Sequence, residues 1–188
     1  MKLEANDGTD EVVVSKMFKV ATLKTTRSKC ANIANNPDIE AVAESQTYYA
    51  LPYTRGGEAQ DERKLVDLEE VPYGLGLVQA DQVVQGPNKV IVCVVDTGYG
   101  LGHPDLPNID HNISGYSPYG DNERWDVDGN SHGTHCAGTI GAIGSNDIGV
   151  TSVNPDPDKF TFFIGKGLTN GSTGSTAGVI AAVDACVT

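Results

Sequence analysis

Val90-Ile-Val-Cys-Val-Val-Asp96-Thr-Gly98 is an unbroken apolar run that ends on a carboxylate and a tight turn. An apolar run without alternation is the pattern of a parallel strand buried on both faces. In open parallel sheets, sites form beyond the carboxyl ends of the strands. Asp96 stands at that end. Thr97-Gly98 turns the backbone at once and leaves the carboxylate at the sheet edge. Taken alone, a carboxylate there can orient an imidazole, bind a metal or cap a helix.

Downstream, Asn130-Ser-His132-Gly-Thr-His135-Cys-Ala-Gly-Thr139 sets a histidine 36 residues after Asp96, at the mouth of a helix predicted from His132 to about Ile143. Asn130 and Ser131 are suitable caps. Gly133, Ala137, Gly138 and Gly141 are small enough to let that helix pack closely on a sheet. An imidazole held by a buried carboxylate keeps one tautomer and can accept a proton from a nucleophile. Other readings of these residues fit less well. Asp-Thr-Gly also occurs in aspartic proteases, but these share a proton between two carboxylates. Only one such triplet is present, so that chemistry would need a second chain. His132 and His135 as a zinc pair lack the four-residue spacing and the intervening Glu of zinc proteases. His135 reads as a buried, hydrogen-bonded structural residue and His103 as a turn residue; His111 receives no function. Asp126-Val-Asp128-Gly-Asn130 alternates acids as a calcium loop does, but its Gly is misplaced and no closing Glu follows. It reads as a polar turn into the histidine helix, with one acid near a substrate cleft.

Three stretches follow from composition. Residues 1–53 hold six of the 13 basic residues, a strand at Val12-Val-Val14, a helix from Ser28 to Asn35 stopped by Asn36-Pro37, and a returning strand at Ile39-Glu-Ala-Val-Ala43. Residues 54–70 are polar and charged, a linker by composition. Within it, Arg63-Lys64 offers a dibasic processing site or an ordinary solvated cluster. Residues 71–188 alternate strand and helix, with a second strand at Asp158–Gly165 and a second helix at Gly178–Cys186. Alternation of this kind argues for an α/β fold with a parallel sheet.

The 188 residues carry a net charge of −12. That balance argues against nucleic-acid partners, which need a basic surface. It also supplies no basic helix for a membrane surface, and no apolar run approaches the ~20 residues of a membrane span. The first residues show no apolar signal-peptide core. Cys30, Cys93, Cys136 and Cys186 have neither zinc-site spacing nor the density of a disulfide scaffold, and read as buried free thiols.

The Asp96 and His132 motifs resemble those of the subtilisin-like serine proteases, in the chain order Asp, His, Ser. The resemblance implies that residues 71–188 are the N-terminal part of a subtilisin-like peptidase domain, a partial three-layer parallel-sheet α/β fold. Glu70-Val-Pro-Tyr-Gly74 resembles the start of a mature enzyme. Met17–Leu23 and Ile33–Val42 resemble the second half of the family's inhibitory propeptide, a partial α+β unit over residues 1–53. His103-Pro-Asp105-Leu106 and Gly144-Ser-Asn-Asp-Ile-Gly-Val150 resemble the segments of a structural calcium site. The implied ligands are Asp105, the Asn146 side chain and the carbonyls of Gly144, Ile148 and Val150, with Glu69 where members often place a glutamine. The family's Gly-Thr-Ser nucleophile motif, oxyanion asparagine and specificity-pocket segment have no counterpart here. Ser172 and Ser175 match instead the Gly/Ser turn beside the substrate cleft. The expectation is a serine endopeptidase precursor with polypeptide substrates, its own propeptide as intramolecular inhibitor and, by family habit, secretion. With catalytic Asp96 and His132 but no serine, this chain alone is expected to be inactive. The alternative is a fragment that inhibits or helps to fold a complete protease.

Overall fold

The computed structural model describes residues 13–51 and 69–188. The Arg63-Lys64 pair and most of the linker lie outside the described residues. In chain order the elements are β1 (Val13–Ser15), β2 (Val20–Thr22), α1 (Arg27–Ala34), β3 (Thr47–Tyr49), α2 (Tyr73–Leu77), β4 (Val90–Asp96), β5 (Ser114–Tyr116), α3 (His132–Gly141), β6 (Phe160–Lys166), β7 (Thr173–Ser175) and α4 (Thr176–Cys186). Short 3-10 turns punctuate the loops. No helix among the described residues is long and apolar enough to cross a membrane.

β4, β6 and β5 form a parallel sheet in that spatial order, with β6 central. Side chains alternate across a strand, and the two faces of β6 meet different helices. Phe160, Phe162 and Ile164 enter the main core with Val94, Tyr99, Leu106, Ile113 and Ala137. Gly141 of α3 lies so close that a Cβ there would meet the Phe160 ring at 2.3 Å. On the opposite face, a Cβ on Gly165 would meet Ala182 of α4 at 3.0 Å. Helices therefore cover both faces of a parallel sheet, an α/β architecture. Asp96 pairs in register with Lys166 at the carboxyl edge.

β4 departs from the expected full burial. Val90 and Ile91 are 54% and 71% exposed, and only the end of the strand is enclosed. The reason is position: β4 is an edge strand, hydrogen-bonded on one side alone. The strand expected at Ile39–Ala43 does not form. A shorter one, β3, lies further on and pairs antiparallel with β7, Tyr48 opposite Gly174. The cysteine reading is also corrected. Cys93 and Cys186 are joined in a disulfide, which ties β4 to the end of α4 across a Cα separation of 5.9 Å, while Cys30 and Cys136 are free. The sequence separation of 93 residues hid that pair. His135 is exposed rather than buried, because it faces away from the sheet on α3.

The N-terminal stretch rests on the rest of the molecule. β1 and β2 pair antiparallel, and β1 lies against α4. There the buried Ser15 hydroxyl donates to Asp184 Oδ1 at 2.9 Å. α1 is capped by Thr26 and buries none of its residues.

Candidate active site

β4 delivers Asp96, 9% exposed, to the sheet edge, and α3 begins at His132. His132 Nδ1 lies 2.8 Å from Asp96 Oδ1 and 2.9 Å from Oδ2. The carboxylate also accepts from the Thr97 amide at 2.7 Å. With Nδ1 engaged by the acid, Nε2 remains as the nitrogen for proton transfer.

Two glycines make the close approach feasible. Gly98 has φ +118, and a Cβ there would stand 2.6 Å from the Val127 carbonyl oxygen. Gly133 follows the histidine, and its Cβ would stand 2.3 Å from the Gly98 carbonyl oxygen. A side chain at Gly133 pushes the acid-bearing turn and the histidine helix apart, and one at Gly98 pushes that turn off the loop at Trp125 and Val127.

The cap of α3 is not the one expected. Ser131 occupies the N-cap at φ 75 with no side-chain hydrogen bond to the helix, and Asn130 turns its amide to Ser172 Oγ at 2.6 Å. Asp128 does the capping. Its Oδ2 accepts from the Thr134 amide at 2.9 Å and the Thr134 hydroxyl at 2.6 Å. Its Oδ1 accepts from the Ser131 amide and the Thr97 hydroxyl, both at 2.9 Å. Thr97 Oγ1 accepts in turn from the Gly133 amide at 2.9 Å. Burial pushes the Asp128 carboxyl up, but the hydrogen bonds from Thr134, Thr97 and Ser131 outweigh it, and the group sits below its ordinary value of 3.8. One carboxylate thus joins the turn after the acid to the start of the base-bearing helix. Asp126, its neighbour in the acidic run, is held instead by Arg124 in the same loop.

Cys136, one helical turn after His132, sets its sulfur 3.7 Å from Nδ1. Burial, and next the Asp96 charge, push this thiol up to about 11, so it stays protonated at neutral pH. Asp96, His132 and Cys136 hold their ligand atoms within 4.8 Å of one another. The alternative pair of His132 with His135 is not brought together with any third ligand among the described residues.

Of the residues expected around calcium, Asp105, Asn146 and Val150 come together. Asp105, 5% exposed, is wrapped by the 144–150 loop. It accepts from Asn146 Nδ2 and from the Val150 amide, both at 2.9 Å. Gly149, at φ +58, passes so close that a Cβ would overlap Asp105 Oδ2. Glu69 accepts from the Ser145 amide at 2.6 Å. A buried carboxylate suits a hard cation, which takes oxygen ligands. Here the Asn146 amide nitrogen, not its oxygen, faces Asp105.

Ser175 caps α4, accepting from the Gly178 amide at 3.2 Å. Ser172 sits in the preceding turn, where its carbonyl accepts from the Ala50 amide at 3.0 Å. Two residues of this region escaped the motif reading. Asp128 was seen only as a turn acid, since capping rules point to the residue next to the helix. Lys166 lies one residue past the strand predicted at Asp158–Gly165 and is fully buried. The available signal was its place at the same strand end as Asp96.

A family model described as Subtilase family, Peptidase_S8, matches residues 87–184. Among curated proteins, Subtilisin DY of Bacillus licheniformis is 32% identical over 120 residues, which is 62% of this chain and 40% of that protein. Subtilisin Savinase of Lederbergia lenta is 38% identical over 113 residues, 58% of this chain and 39% of that protein. The chain thus spans well under half the length of these relatives. Among solved structures, the psychrophilic subtilisin-like protease Apa1 from Pseudoalteromonas sp. AS-11 superposes with a TM-score of 0.51 at 33% identity, over 63% of this chain and 27% of that one.

Proposed function

The chain belongs to the subtilase family, and from that premise we propose that it is part of a serine endopeptidase precursor in which Asp96 and His132 are two members of an Asp-His-Ser triad. The observation that carries this reading is the pair of short contacts from His132 Nδ1 to the Asp96 carboxylate. His132 Nε2 would take the proton of the attacking serine hydroxyl and pass it to the departing amine. Asp96 would hold the tautomer and offset the charge of the imidazolium. Water would then release the acyl group by the same base. The serine is not among these 188 residues, so the chain alone is expected to be inactive.

We assign residues 1–53 to a partial propeptide, 54–70 to a linker with a processing site, and 71–188 to the N-terminal part of the peptidase domain. The pairing of β3 on β7 supports this division, because it lays an extended segment of the N-terminal stretch along the turn beside the site. The same pairing favours a second reading, that the fragment inhibits or helps to fold a complete protease. Polypeptide substrates bind, in this reading, by the same strand addition at β7. For a structural calcium, Asp105, Asn146, Glu69 and the carbonyls of Gly144, Ile148 and Val150 are the residues that would hold it. Bound there, a cation would neutralise the acids and stiffen the 144–150 loop. The Cys93–Cys186 disulfide supports a location in an oxidising compartment, in keeping with secretion.

The test is a peptidase assay on the 188-residue chain and on a precursor extended by its downstream coding sequence. The chain alone is expected to show negligible turnover. The extended form is expected to be active and to lose roughly 10⁶-fold on His132→Ala, the scale set by removing a triad member. Turnover by the short chain that survives serine-directed inhibitors would overturn the triad. A confirmed stop codon after Thr188, with inhibition of a separate protease, would favour the second reading.

A further inference from the structure

Lys166 is fully buried. Lysine is rarely so enclosed, and an unpaired buried cation is costly. The rest of β6 shows what the core accepts at such depth: Phe160, Phe162 and Ile164 are apolar. The ammonium is therefore retained for its partners. It donates to the Thr97 carbonyl, to the Val127 carbonyl at 3.0 Å and to Asn170 Oδ1 at 2.9 Å, and it pairs with Glu123 Oε2 at 3.3 Å. A lysine has three hydrogens to donate, and the three neutral acceptors use them. Glu123 supplies the balancing charge.

These partners come from separate pieces of the site. Thr97 follows the acid. Val127 precedes Asp128, the cap of the histidine helix. Asn170 stands in the turn that leads to β7. The partners are also tied to one another. The Asn170 amide donates to Glu123 Oε2 at 2.9 Å, and Asn170 Oδ1 accepts from the Gly129 amide at 2.8 Å. Room for the cation is made by Gly98, whose Cβ would stand 3.0 Å from Nζ.

We propose that Lys166 is the positioning residue that registers the Asp96–His132 pair against the peptide-docking edge of β7. Lys166 is the strand neighbour of Asp96, but its ammonium bonds to neither side chain of the pair and acts through the Thr97 turn and the 123–130 loop. This rests on the triad reading, since only then does the register matter for chemistry. A side chain that merely filled the core would influence stability but not the pair.

The test reads the proton between His132 and Asp96 rather than turnover, so its outcome is separate from whether a complete precursor is a protease. In the 188-residue chain, the imidazole Nδ1–H is followed by proton NMR, with its exchange against solvent and with the exchange of the Ala50 amide. Lys166→Met is compared with Phe162→Leu, a core change without a charge. Lys166→Met is expected to speed exchange of both protons at least about tenfold, while Phe162→Leu at matched stability leaves them near the unaltered chain. Equal behaviour of the two variants, or an unaltered Nδ1–H in Lys166→Met, would overturn the proposal. So would absence of the Nδ1–H signal from the unaltered chain. Should Lys166→Met not fold, Asn170→Ala removes one acceptor and leaves the lysine in place. Its expected result is exchange about threefold faster at both protons, and no change would overturn the proposal.

Discussion

Around Phe162 the molecule is held by enclosed apolar side chains, whereas between Val14 and Tyr49 it is held by strand pairing and a few polar contacts. Phe160, Phe162 and Ile164 interlock with Tyr99, Leu106 and Ala137 under α3. In the N-terminal stretch, Val14, Met17, Phe18 and Tyr49 are exposed and α1 buries nothing. Its attachments include β3 on β7, β1 against α4 and the Ser15–Asp184 hydrogen bond. Hydrogen bonds are exchanged for water at small net cost, while apolar burial is not. The first region therefore rests on apolar burial and the second on exchangeable hydrogen bonds.

The sharpest test of that contrast is a pair of truncations. Phe162→Ala should destabilise the chain by about 3–5 kcal/mol, through lost burial and a cavity. Phe18→Ala should stay within about 0.5 kcal/mol, as surface changes do. Urea titration followed by tryptophan fluorescence measures both, since Trp125 packs on the core. Similar losses for the two would break the contrast.

The disulfide comes next. Replacing Cys93 and Cys186 by Ala should cost about 2–4 kcal/mol, because the bridge constrains a long loop of the unfolded chain. The loss belongs to the core region. Limited proteolysis should therefore show the 71–188 part becoming sensitive while cleavage within 13–51 changes little.

Acid should produce the smallest effect, centred on Asp128. Its carboxyl is depressed in the folded chain, so its contribution is complete above the ordinary value of 3.8 and is lost as pH falls through the lower folded value. Stability of the chain should fall in that window, and Asp128→Asn should flatten the fall. The amide of Thr134, which donates to this carboxylate, reports the local change by hydrogen exchange. An unchanged acid profile in Asp128→Asn would place the sensitivity elsewhere.

Elements that carry their own signal were legible in the sequence. β4 and β6 are long apolar runs, and α3 and α4 are rich in small and apolar residues. Asp96 and His132 were legible because each is tied to a motif, and they do meet. β5 and β7 were not legible. Each is three residues long and rich in Gly, Ser or Thr, so partners rather than local preference make them strands. β3 was sought at Ile39–Ala43, where the apolar residues lie. It forms at Thr47–Tyr49 because β7 is within reach there. Lys166 and Asp128 were missed for a shared reason. Their roles depend on groups distant in sequence, Thr97 for both and Val127 and Glu123 for Lys166.

The antiparallel pairing of Tyr48 with Gly174 also has a consequence in concentrations. β3 occupies one edge of β7, and it is covalently connected to the same chain. A tethered segment of this kind acts at an effective concentration of roughly millimolar. A free peptide of equal intrinsic affinity must reach that concentration to take its place. Cutting the connecting stretch converts the contest to one between two dissolved species, and the same edge then opens to dilute ligands without any change in its own geometry.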